Sequence, residues 1–198
     1  MTGPKGNGNV SPANFHEDEP TDMSFVQRSE KDVWQTPTDV WKPIDDHIGI
    51  DVDPCAGPTT EVGDRNIRPP ENGLDAEWEG TAFINPPFSQ KEQWLATAVE
   101  KYRAGEIDRA FLLTPDSTDV AAWWHEYIVP NCRFTWFAVS RVDFIDPKKG
   151  EEVSGVPFNT AISVLGTLPA GLRDEWLDTG DLVMRPADAL SQDGGRDG

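Results

Sequence analysis

The 198-residue sequence is poor in several things at once. It has two cysteines, Cys55 and Cys132. Two thiols make neither a disulfide framework nor a zinc site. They are at home in a reducing cytoplasm, and no metal site is expected. There is no run of about 18 apolar residues, so no membrane span is expected. The first residues lack the apolar core of a secretory signal. Bases are scarce: Lys and Arg total 17 against 35 Asp and Glu, for a formal net charge of -18. A nucleic-acid-binding protein normally carries a basic footprint. Taken alone, the charge argues against such a partner.

The distribution of the acids offers a second explanation. They are spread along the chain rather than gathered in a tail, and lysines are few and mostly isolated. That pattern suits a protein working in concentrated salt, where screening within about 3 Å at 1 M weakens self-repulsion.

The length suits one domain with a real core. Residues 1–22 are rich in Gly, Pro, Asn and acids and read as disordered, as does the tail from 191. The domain is expected over 23–190. No internal repeat is visible.

The most informative stretch is Asn85-Pro86-Pro87-Phe88. It follows Thr81-Ala82-Phe83-Ile84, an apolar run of the buried-strand kind. Two prolines stop the strand, because neither has an N–H for a ladder. The turn would place a carboxamide and an aromatic ring at a strand's C-terminal edge, where ligands bind in open α/β sheets. The Asn85 carboxamide oxygen and the Pro86 carbonyl can each accept a hydrogen bond from a planar amine. Phe88 can stack on the ring that carries it. The same tetrapeptide could also be a stiff loop with a core phenylalanine.

Upstream, Trp34-Gln35-Thr36-Pro37 precedes a short helix, with Thr36 as its cap and an end before Pro43. Residues 48–54 alternate and read as a strand that delivers Asp51 and Asp53 to Pro54. Small residues Cys55, Ala56 and Gly57 follow, and these let a ligand approach the backbone. Residues 59–73 read as an irregular connection. Ser89 can cap a helix from about Gln90 to Ala104, ended by Gly105.

Residues 108–115 read as a further buried strand stopped by proline. Thr118 or Asp119 can cap a helix holding Trp123, Trp124, His125 and Tyr127. His125 has no partner pattern for a triad or a metal and reads as structural or surface. Residues 133–139 and 158–165 read as an antiparallel hairpin with an inserted loop of about 13 residues, 145–157. Arg141, beside Phe144, could face a phosphate or base edge, or could serve an internal ion pair. The segment with Trp176 and Leu182 is less readable.

This ordered set resembles the phage-type DNA N(6)-adenine methyltransferases of the Dam-like family over about residues 33–166. The resemblance implies an α/β, Rossmann-like, S-adenosylmethionine-dependent methyltransferase. Its central sheet would be mostly parallel, with an antiparallel hairpin near the C-terminus. It implies double-stranded DNA as the partner, with a virus or its host as the source.

By that resemblance Asn85, Pro86, Pro87 and Phe88 are catalytic. Trp34, Thr36, Pro37, Asp51, Asp53, Pro54, Cys55 and Ala56 bind the cofactor. Arg141, Phe144 and Ser89 face DNA. Only Gly57 stands where the wider family has a glycine-rich loop. Asp53 could therefore fill either the first-strand or the ribose-binding role. A methyltransferase for protein glutamine or an rRNA base amine, or a nucleotide- or DNA-binding module without turnover, would share parts of this pattern. Oligomeric state and recognition sequence are not legible.

Overall fold

The computed structural model describes residues 34–116, 122–146, 149–153 and 159–186. The expected disordered ends, 1–22 and 191–198, lie outside these residues, as do the caps Thr118 and Asp119.

Nine strands and three α-helices follow one another in the described chain. Helix α1 spans Thr38–Ile48, and β1 (Val52–Asp53) and β2 (Arg65–Asn66) come next. β3 (Thr81–Ile84) leads to α2 (Lys91–Ala104), and β4 (Arg109–Pro115) to a short π-helical turn, Trp124–Ile128. β5 (Phe134–Ala138), β6 (Phe144–Asp146), β7 (Glu151–Val153) and β8 (Thr160–Leu165) precede α3 (Ala170–Thr179) and β9 (Gly180–Met184).

Seven strands form one sheet in the order β2-β1-β3-β4-β8-β5-β9. The pairings among β2, β1, β3 and β4 are parallel. β8 runs antiparallel to β4 and to β5, and β9 antiparallel to β5. Five of the seven strands, β1 to β5, therefore point the same way. The expected hairpin of 133–139 and 158–165 is the β5–β8 pair. Its inserted loop is more ordered than expected: β6 and β7 form a second, two-stranded sheet.

Strand alternation explains the layers. On β3 and β4, Ala82, Ile84, Ala110 and Leu112 face a cluster with Trp94, Leu95, Ala98, Trp123 and Trp124. Phe83, Phe111 and Leu113 face the opposite cluster, with Val40, Ile44, Leu172 and Trp176. So α2 and the π turn cover one face, and α1 and α3 the other. All four residues of β3 are buried, as the apolar run required.

Local signals mislead at several places. Pro43 does not end α1; the helix continues to Ile48 and stops at Gly49. Burial of Val40 and Ile44 on its apolar face offsets the bond lost at the proline. Thr36 is not the cap, since the helix begins at Thr38 after Pro37. Strand β1 is two residues rather than seven: Ile48 belongs to α1, Gly49 ends that helix, and Pro54 has no N–H for the ladder. The 59–73 connection contains the edge strand β2. Ser89 does not cap α2, which starts after Gln90 without a side-chain cap. Gly105 ends α2 in a left-handed conformation, as expected. Leu172 and Trp176, four residues apart, mark the buried face of α3, which the sequence reading passed over.

One backbone approach ties the 59–73 connection to the turn after β1. A Cβ at Gly73 would stand 1.7 Å from the Pro54 carbonyl oxygen. The Gly73 carbonyl in turn accepts from Trp78 Nε1 at 2.7 Å. Gly73→Ala is therefore expected to destabilise the fold by about 1–3 kcal/mol or more. A denaturation midpoint equal to that of the unaltered protein would contradict this packing.

Candidate active site

The strand order reverses between β1 and β3. From β1 the chain moves outward to β2, then returns to place β3 on the other flank of β1. Open α/β sheets bind ligands in the crevice beyond the carboxyl ends of strands at such a point. Asp53 ends β1 and Asn85 follows β3, so both stand at this crevice. A narrow cleft there is lined by Trp34, Gln35, Thr36, Asp53, Cys55, Gly57, Thr60 and Asn85. Residues from three separate stretches of sequence thus meet at one sheet edge.

Asn85 holds that edge together. Its Nδ2 donates to the Trp34 carbonyl at 2.9 Å and to Thr36 Oγ1 at 3.0 Å. Both amide protons are thereby used. Among the described residues nothing donates to its Oδ1, nor to the Pro86 carbonyl. The next two carbonyls are occupied: Pro87 accepts from Gln90 N–H at 2.9 Å, and Phe88 from Lys91 Nζ at 3.0 Å. Pro86 and Pro87 are buried, and Phe88 is half-buried. The Phe88 ring meets Phe144 edge-on, with centroids 6.5 Å apart and planes at 87°.

The opposite wall is built on Asp53. It is 3 % exposed, and its Oδ1 accepts from Cys55 N–H at 3.0 Å. Beyond it, Gly57 N–H donates to Thr60 Oγ1 at 3.1 Å. Arg68 fastens this loop from behind through the carbonyls of Gly57 and Thr60 and the carboxylate of Glu61. Gln35 donates to Thr59 and joins the two walls.

The expected site residues separate under this geometry. Trp34, Thr36, Asp53, Cys55 and Asn85 share the cleft. Pro54 and Ala56 are buried within the same turn, and Pro37 leads from it into α1. Asp51 is not brought there. It precedes β1, and its carboxylate accepts from the Thr81 N–H at 2.6 Å, at the start of β3. That is about 13 Å from Asn85 at the usual rise per strand residue. Asp53, rather than Asp51, is the acid at the crevice, and it sits on the first strand.

Phe144 is fully buried, so it does not face DNA; it supports Phe88 from the core. Ser89 and Arg141 are exposed. Arg141 follows β5, which runs in the same direction as β3. It therefore shares the Asn85 edge, with β3 and β5 about 14 Å apart across three strand spacings. His125 is exposed, as read from the sequence. Burial pushes the Cys132 thiol up to about 12, so it is no nucleophile at neutral pH. No described helix is long and apolar enough to cross a membrane.

Lys91 escaped the sequence reading. It opens α2, an end where the helix dipole disfavours a cation. That misplacement was the available signal. Its ammonium is taken up by the Phe88 carbonyl and lies 5.5 Å from the centroid of the Trp123 ring. Gln35 and Arg68 carried no comparable signal, because their partners are distant loops.

Residues 23–175 match the family described as DNA N-6-adenine-methyltransferase (Dam). The chain belongs to this family. A curated relative is the DNA N-6-adenine-methyltransferase of Haemophilus phage HP1 (strain HP1c1). It is 29 % identical over 133 residues, covering 65 % of this chain and 75 % of the relative. No solved structure matches. The methyltransferase match spans the whole cleft, from Trp34 to Asn85, and continues beyond α2, the β6–β7 pair and β8 into α3.

The different placements of Phe144 and Arg141 can be separated by stability. Phe144→Ala is expected to cost about 3–5 kcal/mol through the cavity it leaves. Arg141→Ala should stay within about 0.5 kcal/mol, as exposed substitutions do. Equal losses in chemical denaturation would contradict the placement.

Proposed function

We propose that this member of the DNA adenine methyltransferase family transfers a methyl group from S-adenosylmethionine to the exocyclic N6 amine of adenine in double-stranded DNA. One methyltransferase domain over 23–190, Rossmann-like in its strand switch, carries the reaction. The observation that supports it best is the pair of unused acceptors, Asn85 Oδ1 and the Pro86 carbonyl, beside a half-buried aromatic ring.

The adenine amine is a poor nucleophile because its lone pair is delocalised into the ring. Its two N–H groups are donors, and two acceptors aimed at them favour a more pyramidal nitrogen. Phe88 stacks on the base, backed by Phe144. A duplex hides the amine, so the target base leaves the stack before it enters the site. The proton released after transfer passes to water, since among the described residues Asp53, the carboxylate of the cleft, is given to the cofactor. Ser89 and Arg141 at the same edge contact the DNA.

The cleft's chemistry fits the cofactor. S-adenosylmethionine supplies an activated methyl on a sulfonium. A buried carboxylate on the cleft wall, Asp53, complements a cationic ligand or its hydroxyl groups. Cys55, Ala56 and Gly57 allow close approach, and Trp34 and Gln35 form the facing wall. The cleft encloses only about 10 Å³, far below the roughly 300–1,000 Å³ of ligand pockets. The Gln35–Thr59 bond bridges its two walls and must open to admit the cofactor.

The direct test is expression in a host lacking adenine methylation, with its DNA analysed by mass spectrometry. 6-Methyladenine is expected; its absence from a folded, cofactor-binding protein would overturn the reading. Asn85→Ala should abolish turnover and lower cofactor affinity far less, and an equal loss of both would contradict the role given to Asn85.

We read the acid excess as an adaptation to concentrated salt, in a virus or its host. Thermal stability should then rise as salt goes from about 0.1 M to 1 M, where the screening length shrinks from about 10 Å to 3 Å. A melting temperature that falls over this range would refute it.

A further inference from the structure

Thr36 was expected to serve the cofactor. We propose instead that its hydroxyl is a positioning group for Asn85, fixing the plane of the carboxamide so that Oδ1 meets the target amine. This rests on the role given to Asn85 above and adds a residue to it.

A carboxamide presents an oxygen and a nitrogen of nearly the same shape, so its usefulness as an acceptor depends on its orientation. If Asn85 were turned over, its NH₂ would face the NH₂ of adenine, donor against donor. The Trp34 carbonyl opposes that flip, because it can only accept. One hydrogen bond still leaves the amide free to swing about it. A second acceptor on the other N–H removes that freedom, because the two protons diverge within the amide plane. Thr36 Oγ1 is that second acceptor, at 3.0 Å.

Thr36 is itself well held. It is 5 % exposed, and on its N-terminal side Gln35 pairs with Ile145 of β6 through two backbone bonds of 3.1 and 3.0 Å. On its C-terminal side the chain enters α1, where Val40 N–H donates to the Pro37 carbonyl at 3.1 Å. A fixed acceptor aimed at a fixed amide is the kind of support that holds a reacting group to its productive geometry. Thr36 touches no reacting atom in this scheme and acts only through Asn85.

The test compares Thr36→Val, which keeps the shape and loses the acceptor, with Thr36→Ser, which keeps the hydroxyl. S-adenosylmethionine affinity is measured by calorimetry, and kcat and KM on DNA from a host without adenine methylation. Thr36→Val should lower kcat about three- to tenfold, the range of one neutral hydrogen bond. Its cofactor affinity should stay within about twofold, and Thr36→Ser should retain most of the unaltered kcat. Unchanged kcat in Thr36→Val overturns the proposal. So does a loss of cofactor affinity as large as the loss in kcat, or a Thr36→Ser as impaired as Thr36→Val. Full activity in Asn85→Ala would instead remove the reading of the site on which the proposal stands.

Discussion

The pair of hydrogen bonds from Asn85 Nδ2 to the Trp34 carbonyl and Thr36 Oγ1 organises the functional edge of this molecule. About fifty residues separate the partners in sequence. Their union places the segment before α1 beside the end of β3 and forms one wall of the cleft. It also fixes what the carboxamide has left to offer. With both protons engaged, the group can act outward only as an acceptor, which is what an amine substrate requires. A structural bond and a chemical preference come from the same two contacts.

The surroundings reinforce this arrangement by independent routes. Gln35 pairs with β6, and β6 carries Phe144 beneath Phe88. The small β6–β7 sheet therefore touches the site at both the Asn85 side and the Phe88 side. Lys91 closes the turn by taking the Phe88 carbonyl, so that of three successive carbonyls only that of Pro86 remains open. In a chain with so few bases, several bind main-chain carbonyls. Arg68 secures Gly57 and Thr60, Arg65 the Glu77 carbonyl, and Arg109 the Thr167 carbonyl. These contacts keep their hydrogen-bond character when salt screens charge–charge attraction. They suit a protein whose acids greatly outnumber its bases.

Much of the architecture was legible because it rests on local rules. The β3 run, its stop at Pro86, the β4 run ending at Pro115 and the pairing of β5 with β8 follow from periodicity and from the missing proline N–H. Where reading failed, a distant partner had outweighed a local signal. Pro43 lies inside α1 because Val40 and Ile44 are buried against the sheet. Asp51 and Asp53 look alike in an alternating stretch, and only the register of β1 against β3 turns one to the Thr81 amide and the other to the crevice. Phe144 looked like a surface aromatic beside an arginine until β6 carried it into the core.

By itself, the sequence determined the kind of chemistry: an acceptor-bearing, proline-stiffened turn after a buried strand, with an acid and small residues upstream. Those properties belong to residue types and to spacing over a few positions, so they survive without a fold. The tertiary structure decided which atoms remain available. That Asn85 keeps its oxygen and spends its nitrogen, that Asp53 rather than Asp51 reaches the cleft, and that Thr36 meets Asn85 are outcomes of chain segments brought together across the sheet. Hydrogen-bond partners at such separations are set by packing, and no local pattern encodes them.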